Sequence, residues 1–207
     1  MSSLYVLGAG GHGKVVVATL QAMGRKITAI LDDDQTIWGT SLWGIPISGP
    51  LQSVEDKKTP EAIIAVGINS IRRDIAQRIT NVRWIAAIHP SATVHPSVTI
   101  GVGSVIFAGA VIQPDTALGK HVIVNTGVTI DHDCRLGSFV HVAPGAHLAG
   151  TVSLEDGVLM GIGSSAIPGV SVGAWTTVGA GAAVVSDLPR ETVAVGVPAK
   201  ILDQTRT

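Results

Sequence analysis

Residues 88–189 divide into sixes without a slip: IHPSAT (88–93), VHPSVT (94–99), IGVGSV (100–105), IFAGAV (106–111), IQPDTA (112–117), LGKHVI (118–123), VNTGVT (124–129), IDHDCR (130–135), LGSFVH (136–141), VAPGAH (142–147), LAGTVS (148–153), LEDGVL (154–159), MGIGSS (160–165), AIPGVS (166–171), VGAWTT (172–177), VGAGAA (178–183) and VVSDLP (184–189). The leading residue is apolar in all seventeen, from Ile88 to Val184. Four residues later comes a smaller inward candidate, such as Ala110, Thr116, Cys134 or Ala182, and the positions between favour Gly, Asp, Asn and Pro, which accept tight corners. A helix repeats at about 3.6 residues and a strand at about 2, so neither explains a period of six. A triangular parallel β-helix does, with one hexapeptide per face and three per coil, giving between five and six coils here. An antiparallel sandwich would need a turn signal every ~8–12 residues and would not hold one phase for so long.

Outward from this stretch, the N-terminal segment reads as a small open α/β domain. Leu4–Leu7 is a buried strand, Gly8-Ala9-Gly10-Gly11-His12-Gly13 a turn, and Lys14–Met23 a helix. Lys26–Leu31 is a second strand ending in Asp32-Asp33-Asp34, and Gln35–Lys58 is loop-rich. Ala62–Val66 is a third strand, Ser70–Ile79 a helix with Arg72, Arg73 and Arg78 outside, and Trp84–Ile88 leads into the first coil. We therefore expect residues 1–87 to be Rossmann-like, 88–189 to be the β-helix, and 190–207 to be a tail capping its open apolar end.

Composition narrows the function. The net charge of −1 gives no electrostatic case for nucleic acid. The single Cys excludes a disulfide framework, and no apolar run is long enough for membrane insertion. The start, MSSLYVLGAGG, lacks the basic and apolar regions of a signal peptide, so a cytoplasmic location is expected.

Two constellations carry chemistry. Gly8-x-Gly10-x-x-Gly13 between strand and helix lets backbone approach a phosphate, with Asp32 or Asp33 ending the next strand to meet a ribose or base. Gly67 and Asn69 end the third strand on the same carboxyl edge, and Arg72 follows as a candidate phosphate partner. A sheet this small suits a mononucleotide or nucleotide-sugar better than a dinucleotide, which weighs against an NAD-dependent dehydrogenase. The second constellation is Asn125, Asp131-His132-Asp133 and His141. An imidazole oriented by a carboxylate is the arrangement needed to deprotonate an amine or hydroxyl in acyl transfer. Eighteen residues after His132 comes Gly150, leaving a slot for a thin chain such as a pantetheine arm and weighing against a purely structural β-helix. No Cys or Glu cluster at ligand spacing supports a metal.

The sixfold repeat resembles the hexapeptide acyltransferases, left-handed β-helix enzymes that usually work as trimers. GAGGHG, the DDD after strand two, AVGIN and NTGVTIDHDCRLGSFVHVAPGAHLAG (125–150) resemble the branch of nucleotide-sugar N-acetyltransferases of the bacillosamine type, alongside sialic-acid O-acetyltransferases. The resemblance implies acetyl-CoA as cosubstrate and a UDP- or GDP-linked 4-amino-4,6-dideoxy sugar as acceptor in bacterial glycan or lipopolysaccharide synthesis. It also implies a homotrimer with sites between subunits. It makes His132 the general base beside Asp133, where the family often has Glu. Asn125 would place the acceptor sugar, and Gly10, Gly11, His12, Asp32, Asp33, Gly67, Asn69 and Arg72 would form the nucleotide side. His141 would approach the thioester, with Gly150, Ile162 and Ala180 along the CoA channel. The choice between N- and O-acetylation, and between uridine and guanosine, stays open.

Overall fold

The computed structural model describes residues 3–202. In the N-terminal part, β1 (Leu4–Leu7), α1 (Gly11–Ala22), β2 (Ala29–Leu31), β3 (Ser41–Leu42), β4 (Ile45–Ser48), β5 (Glu61–Ile64), α2 (Asn69–Arg78) and β6 (Arg83–Trp84) follow in order. They build one six-stranded sheet in the order β3-β4-β2-β1-β5-β6. β1 and β5 are buried throughout, β1 as the continuous apolar run expected of a strand covered on both faces and β5 with its one charged residue, Glu61, paired with Arg25 and Arg83. The stretch expected to be loop-rich contains the β3–β4 hairpin, turned through Trp43 and Gly44 at positive φ, and β4 extends the sheet beside β2. Pro46 hides this strand in the sequence. Ile45 and Ile47 nevertheless alternate inward with Pro46 and Ser48 outward, and Pro46 sits where β4 is paired with β3 alone, before its pairing with β2 begins at Ile47.

From Ala87 onward the chain winds as a parallel β-helix of two-residue strands, each paired with the strand eighteen residues on: Ile88 with Ile106, Val94 with Ile112, Ile100 with Leu118. The first face begins at Ala87–Ile88, the second at Thr93–Val94 and the third at Thr99–Ile100. The leading hexapeptide residues and their small partners form one core running from Ile106 to Ala194. Each fully buried Val, Ile or Leu there contributes roughly 1.5–3 kcal/mol from burial. Two inward hydroxyls are satisfied by the wall itself, Ser104 Oγ donating to Gly119 O (3.0 Å) and Thr116 Oγ1 to Asp131 O (2.9 Å), whereas Ser164 Oγ is buried without a partner among the described residues. Every sixth residue from Gly103 to Gly181 turns a corner at positive φ, and not all are glycine; Asp115, His121, Asp133, Phe139, Thr151 and Trp175 adopt it too.

The β-helix does not stop at Pro189. Val172 pairs with Leu188 and Val178 with Ala194, sixteen residues on instead of eighteen, so the last turn is two residues short and the period resumes in a new phase. The first face therefore runs on to Val195 before the chain reverses into Lys200–Ile201, and Ala199 packs against the end of the core. The final residues of the expected cap, 203–207, lie outside the described residues.

The two parts share a core. Val16, Val17 and Leu20 of α1 join Val105, Phe107 and Ile123 on the outside of the first face in one buried cluster. No helix among the described residues is long and apolar enough to cross a membrane.

Candidate active site

His132 sits on the turn between the second-face strand Thr129–Ile130 and the third-face strand Arg135–Leu136. Asp133 takes the left-handed corner conformation (φ 61°), which Asp tolerates better than most residues. Its carboxylate turns back to accept a hydrogen bond from His132 Nδ1 at 2.8 Å. Aspartate thus makes this contact despite being one methylene shorter than glutamate. Both side chains are exposed, at 62% and 52%, and His132 Nε2 has no partner among the described residues. With Nδ1–H held by the carboxylate, Nε2 carries the lone pair and is available as a base.

The expected empty slot beside His132 is corrected by the structure. A Cβ at Gly150 would lie 2.6 Å from His132 Cε1 and Nε2, so the imidazole itself fills the space that the glycine leaves. Gly150 belongs to the His132 corner and does not line the main cavity.

That cavity, about 650 Å³, lies between the first face and the 67–70 loop. Ile68, Leu159, Ile162, Trp175 and Val178 form much of its wall, and His141, Asn69 and Ala180 also reach it. His141, on the strand His141–Val142, is paired on both sides. Its Nε2 lies 3.1 Å from Asn125 Nδ2 and its Nδ1 lies 3.3 Å from Gly67 O. Asn125 Oδ1 already accepts from Thr126 N, so the amide presents an N–H to Nε2. Nδ1 therefore carries the proton and donates to Gly67, and the ring is neutral. Burial first, then Arg72 and His12, lowers the pKa of His141 from 6.5 to about 4. Burial and Arg72 lower His12 likewise to about 4, and its Nε2 is buried without a partner.

The nucleotide-side residues divide among three environments. Gly10, Gly11, His12, Asp32 and Gly67 line a cavity of about 370 Å³ at the carboxyl edge of the sheet. A Cβ at Gly13 would lie 2.4 Å from Gly8 O, so this glycine is required for the helix to approach the strand. Asp32 ties the loop together, accepting from Ala9 N (2.7 Å) and Asp34 N (2.9 Å). Asp33 accepts from Leu51 N (2.9 Å), lies 3.6 Å from Arg78, and faces an adjoining cavity of about 270 Å³.

Arg72 is a correction. Expected outside and offered to a phosphate, it is 1% exposed, on the side of α2 that docks against the β-helix. Its Nε donates to His121 O (2.9 Å), one terminal nitrogen to Val66 O and Gly67 O (both 3.1 Å), and the other to Phe139 O (2.7 Å) and Asn69 Oδ1 (3.0 Å). All five donors are used, so no phosphate reaches it directly. Asn69, one helical turn earlier, donates to Gly157 O (3.0 Å) and Val158 O (3.2 Å), so it too joins the two parts.

Sequence reasoning missed the corner column that receives α2. Gly103, His121, Phe139, Gly157 and Trp175 follow at eighteen-residue intervals, all at positive φ. His121 stacks on Phe139 (5.4 Å, 1°) and meets Trp84 edge-on (5.1 Å), and Arg73 lies 4.6 Å from the Trp175 ring. The signal was present as large residues at corner positions where a small or turn-forming one is ordinary.

One chain does not unite the predicted residues. Asn125 and His141 belong to the first face, whereas His132, Asp133 and Gly150 occupy the corner between the second and third faces. Among the described residues no group of three or more His, Cys, Asp or Glu side chains could hold a metal ion.

A β-helix joined to a Rossmann-like domain, with an acid-oriented histidine and a groove along one face, defines a class of acyl-transfer proteins, and comparison with known proteins agrees. Residues 3–79 match the family model described as the PglD N-terminal domain. The UDP-N-acetylbacillosamine N-acetyltransferase of Bacillus subtilis (strain 168) is 40% identical over 116 residues, covering 52% of this chain and 52% of that protein. That alignment spans about half the length of the curated relative. Solved structures are matched end to end. The acetyltransferase domain of PglB from Neisseria gonorrhoeae FA1090, in complex with acetyl coenzyme A, is 41% identical with a TM-score of 0.91, covering 97% of this chain and 98% of that one. PerB from Caulobacter crescentus, in complex with CoA and GDP-perosamine, is 39% identical with a TM-score of 0.90, covering 98% of both chains. The chain belongs to the hexapeptide-repeat nucleotide-sugar acetyltransferases.

Proposed function

We propose that this protein is an acetyl-CoA-dependent N-acetyltransferase for the 4-amino group of a UDP- or GDP-linked 4-amino-4,6-dideoxy sugar, working in the cytoplasm in glycan synthesis. The observation that carries the reading is the 2.8 Å His132–Asp133 contact, which leaves Nε2 unpartnered on an exposed corner. Residues 1–87 bind the nucleotide, the β-helix from residue 88 to Val195 does the chemistry, and the chain that reverses after it caps the solenoid. His132 Nε2 takes a proton from the sugar amine as its nitrogen attacks the thioester carbonyl. Backbone N–H groups stabilise the oxyanion, and collapse of the intermediate expels the CoA thiolate, which takes the proton back from His132. Asn125 holds the acceptor sugar, and His141, Ile162 and Ala180 border the acetyl-CoA channel.

The two half-sites of one chain occupy different parts of the prism, so the corner of one subunit must meet the first face of another. A closed ring of three gives three equivalent sites. Coexpressing His132→Ala chains with His141→Ala chains tests this. Random threefold assembly restores about a quarter of wild-type activity, because that fraction of sites combines an intact corner with an intact face. Activity no greater than that of the separate variants would show that each chain works alone. Treating the acetylated product with hydroxylamine tests the bond formed. An amide survives, whereas loss of the acetyl group would move the reading to sugar O-acetylation.

A further inference from the structure

A guanidinium buried to 1% exposure with no carboxylate in contact among the described residues is costly, and a neutral side chain could not reach the same set of acceptors. All the acceptors around Arg72 are neutral: the carbonyls of Val66, Gly67, His121 and Phe139 and the Asn69 side chain. Two of those carbonyls belong to strained corners in adjacent coils and two to the loop bounding the acetyl-CoA cavity. The Gly67 carbonyl is shared, accepting from Arg72 (3.1 Å) and from His141 Nδ1 (3.3 Å). A chain of contacts therefore runs from the domain interface to Asn125: Arg72, Gly67 O, His141, Asn125 Nδ2.

We propose that Arg72 is a positioning residue for the acetyl transfer: by fixing the Gly67 carbonyl it holds His141, at the cavity wall, as the neutral Nδ1–H tautomer, whose Nε2 keeps the Asn125 amide in place. This rests on the functional reading above. The link requires His141 to stay neutral, because a protonated ring would turn an N–H toward the Asn125 N–H. The charged or titratable groups bearing on His141 are Arg72 of α2 and His12 of α1, whose ring lies 6.3 Å away. The neighbours of His141 on the first face, Ile123 and Leu159, are apolar. Burial and the cation at Arg72 both act against protonation.

The test is ¹⁵N NMR of histidine-labelled protein, with His141 assigned through His141→Gln and His132 as an internal reference, in wild type, Arg72→Met and Arg72→Lys. In the wild type, His141 is the Nδ1–H tautomer and titrates near 4; an Nε2–H tautomer, or titration near 6.5, overturns the proposal without any variant. In folded Arg72→Met the Nδ1–H tautomer is lost, titration moves up toward 6.5, and the His132 signals do not change. Turnover then falls about tenfold in kcat with KM for acetyl-CoA within about twofold, and Arg72→Lys recovers part of the loss. A folded Arg72→Met with unchanged His141 tautomer and midpoint overturns it. NMR needs no acceptor sugar, so absence of turnover in the wild type counts against the functional reading, whereas the His141 spectra decide the Arg72 link.

Discussion

Asp133 can face His132 because residue 133 turns a corner at φ 61°, bringing adjacent side chains to 2.8 Å. Such a contact is local, which is why the pair was legible as Asp-His-Asp in the sequence. His132→Ala should lower kcat by ~10²–10⁴-fold with little change in KM, the range for losing a general base, and steady-state kinetics would read it. Gly150→Ala separates stability from chemistry. Its Cβ would meet the imidazole at 2.6 Å, but the ring is exposed and can swing away. We expect Tm within about 2 °C of wild type and kcat down about tenfold or more, measured by calorimetry and initial rates. Unchanged kcat would mean the ring does not need its seat over Gly150. Arg72 was illegible for the opposite reason. Its partners His121 and Phe139 lie 49 and 67 residues away, and only the docked fold turns that side of α2 inward.

At the scale of elements, the hexapeptide stripe announced the β-helix because each coil packs only on its neighbours, so one local rule repeats along the whole segment. The β3–β4 hairpin escaped because Pro46 disguised an alternating strand, and the short last turn escaped because a two-residue loss resets the phase. Corners differ in what a side chain would meet, and two glycines make the comparison. Gly127 (φ 66°) has open space around its missing Cβ, whereas at Gly103 (φ 75°) a Cβ would lie 2.2 Å from His121 Nδ1. Gly127→Ala should cost about 1–2 kcal/mol from left-handed backbone alone. Gly103→Ala adds a clash with a ring wedged between Phe139 and Trp84, for a total of about 3 kcal/mol or more. Urea unfolding midpoints would rank them, and equal losses would contradict the packing of the corner column.

Across the whole molecule, His12, His121 and His141 surround Arg72, and burial and that cation lower all three from 6.5 to about 4. Each ring binds its proton more weakly folded than unfolded, so the unfolded chain takes up protons first as pH falls. The resulting stability is complete above pH 6.5 and is lost as pH drops toward 4. One such group accounts for on the order of 3 kcal/mol. Tm should therefore fall steeply between pH 6.5 and 4, and His121→Phe should flatten that fall; a Tm constant over this window would contradict three buried neutral imidazoles. The proposed division of the site between subunits follows from the family resemblance and the separation of His132 from His141, and no spacing along one chain announces it. Free-thiol release from acetyl-CoA, with UDP- and GDP-linked 4-amino-4,6-dideoxy sugars as acceptors and His132→Ala beside the wild type, tests the central claim most directly. The account predicts sustained release with one of these acceptors, lost in the variant; no release with either, or equal release by His132→Ala, would contradict it.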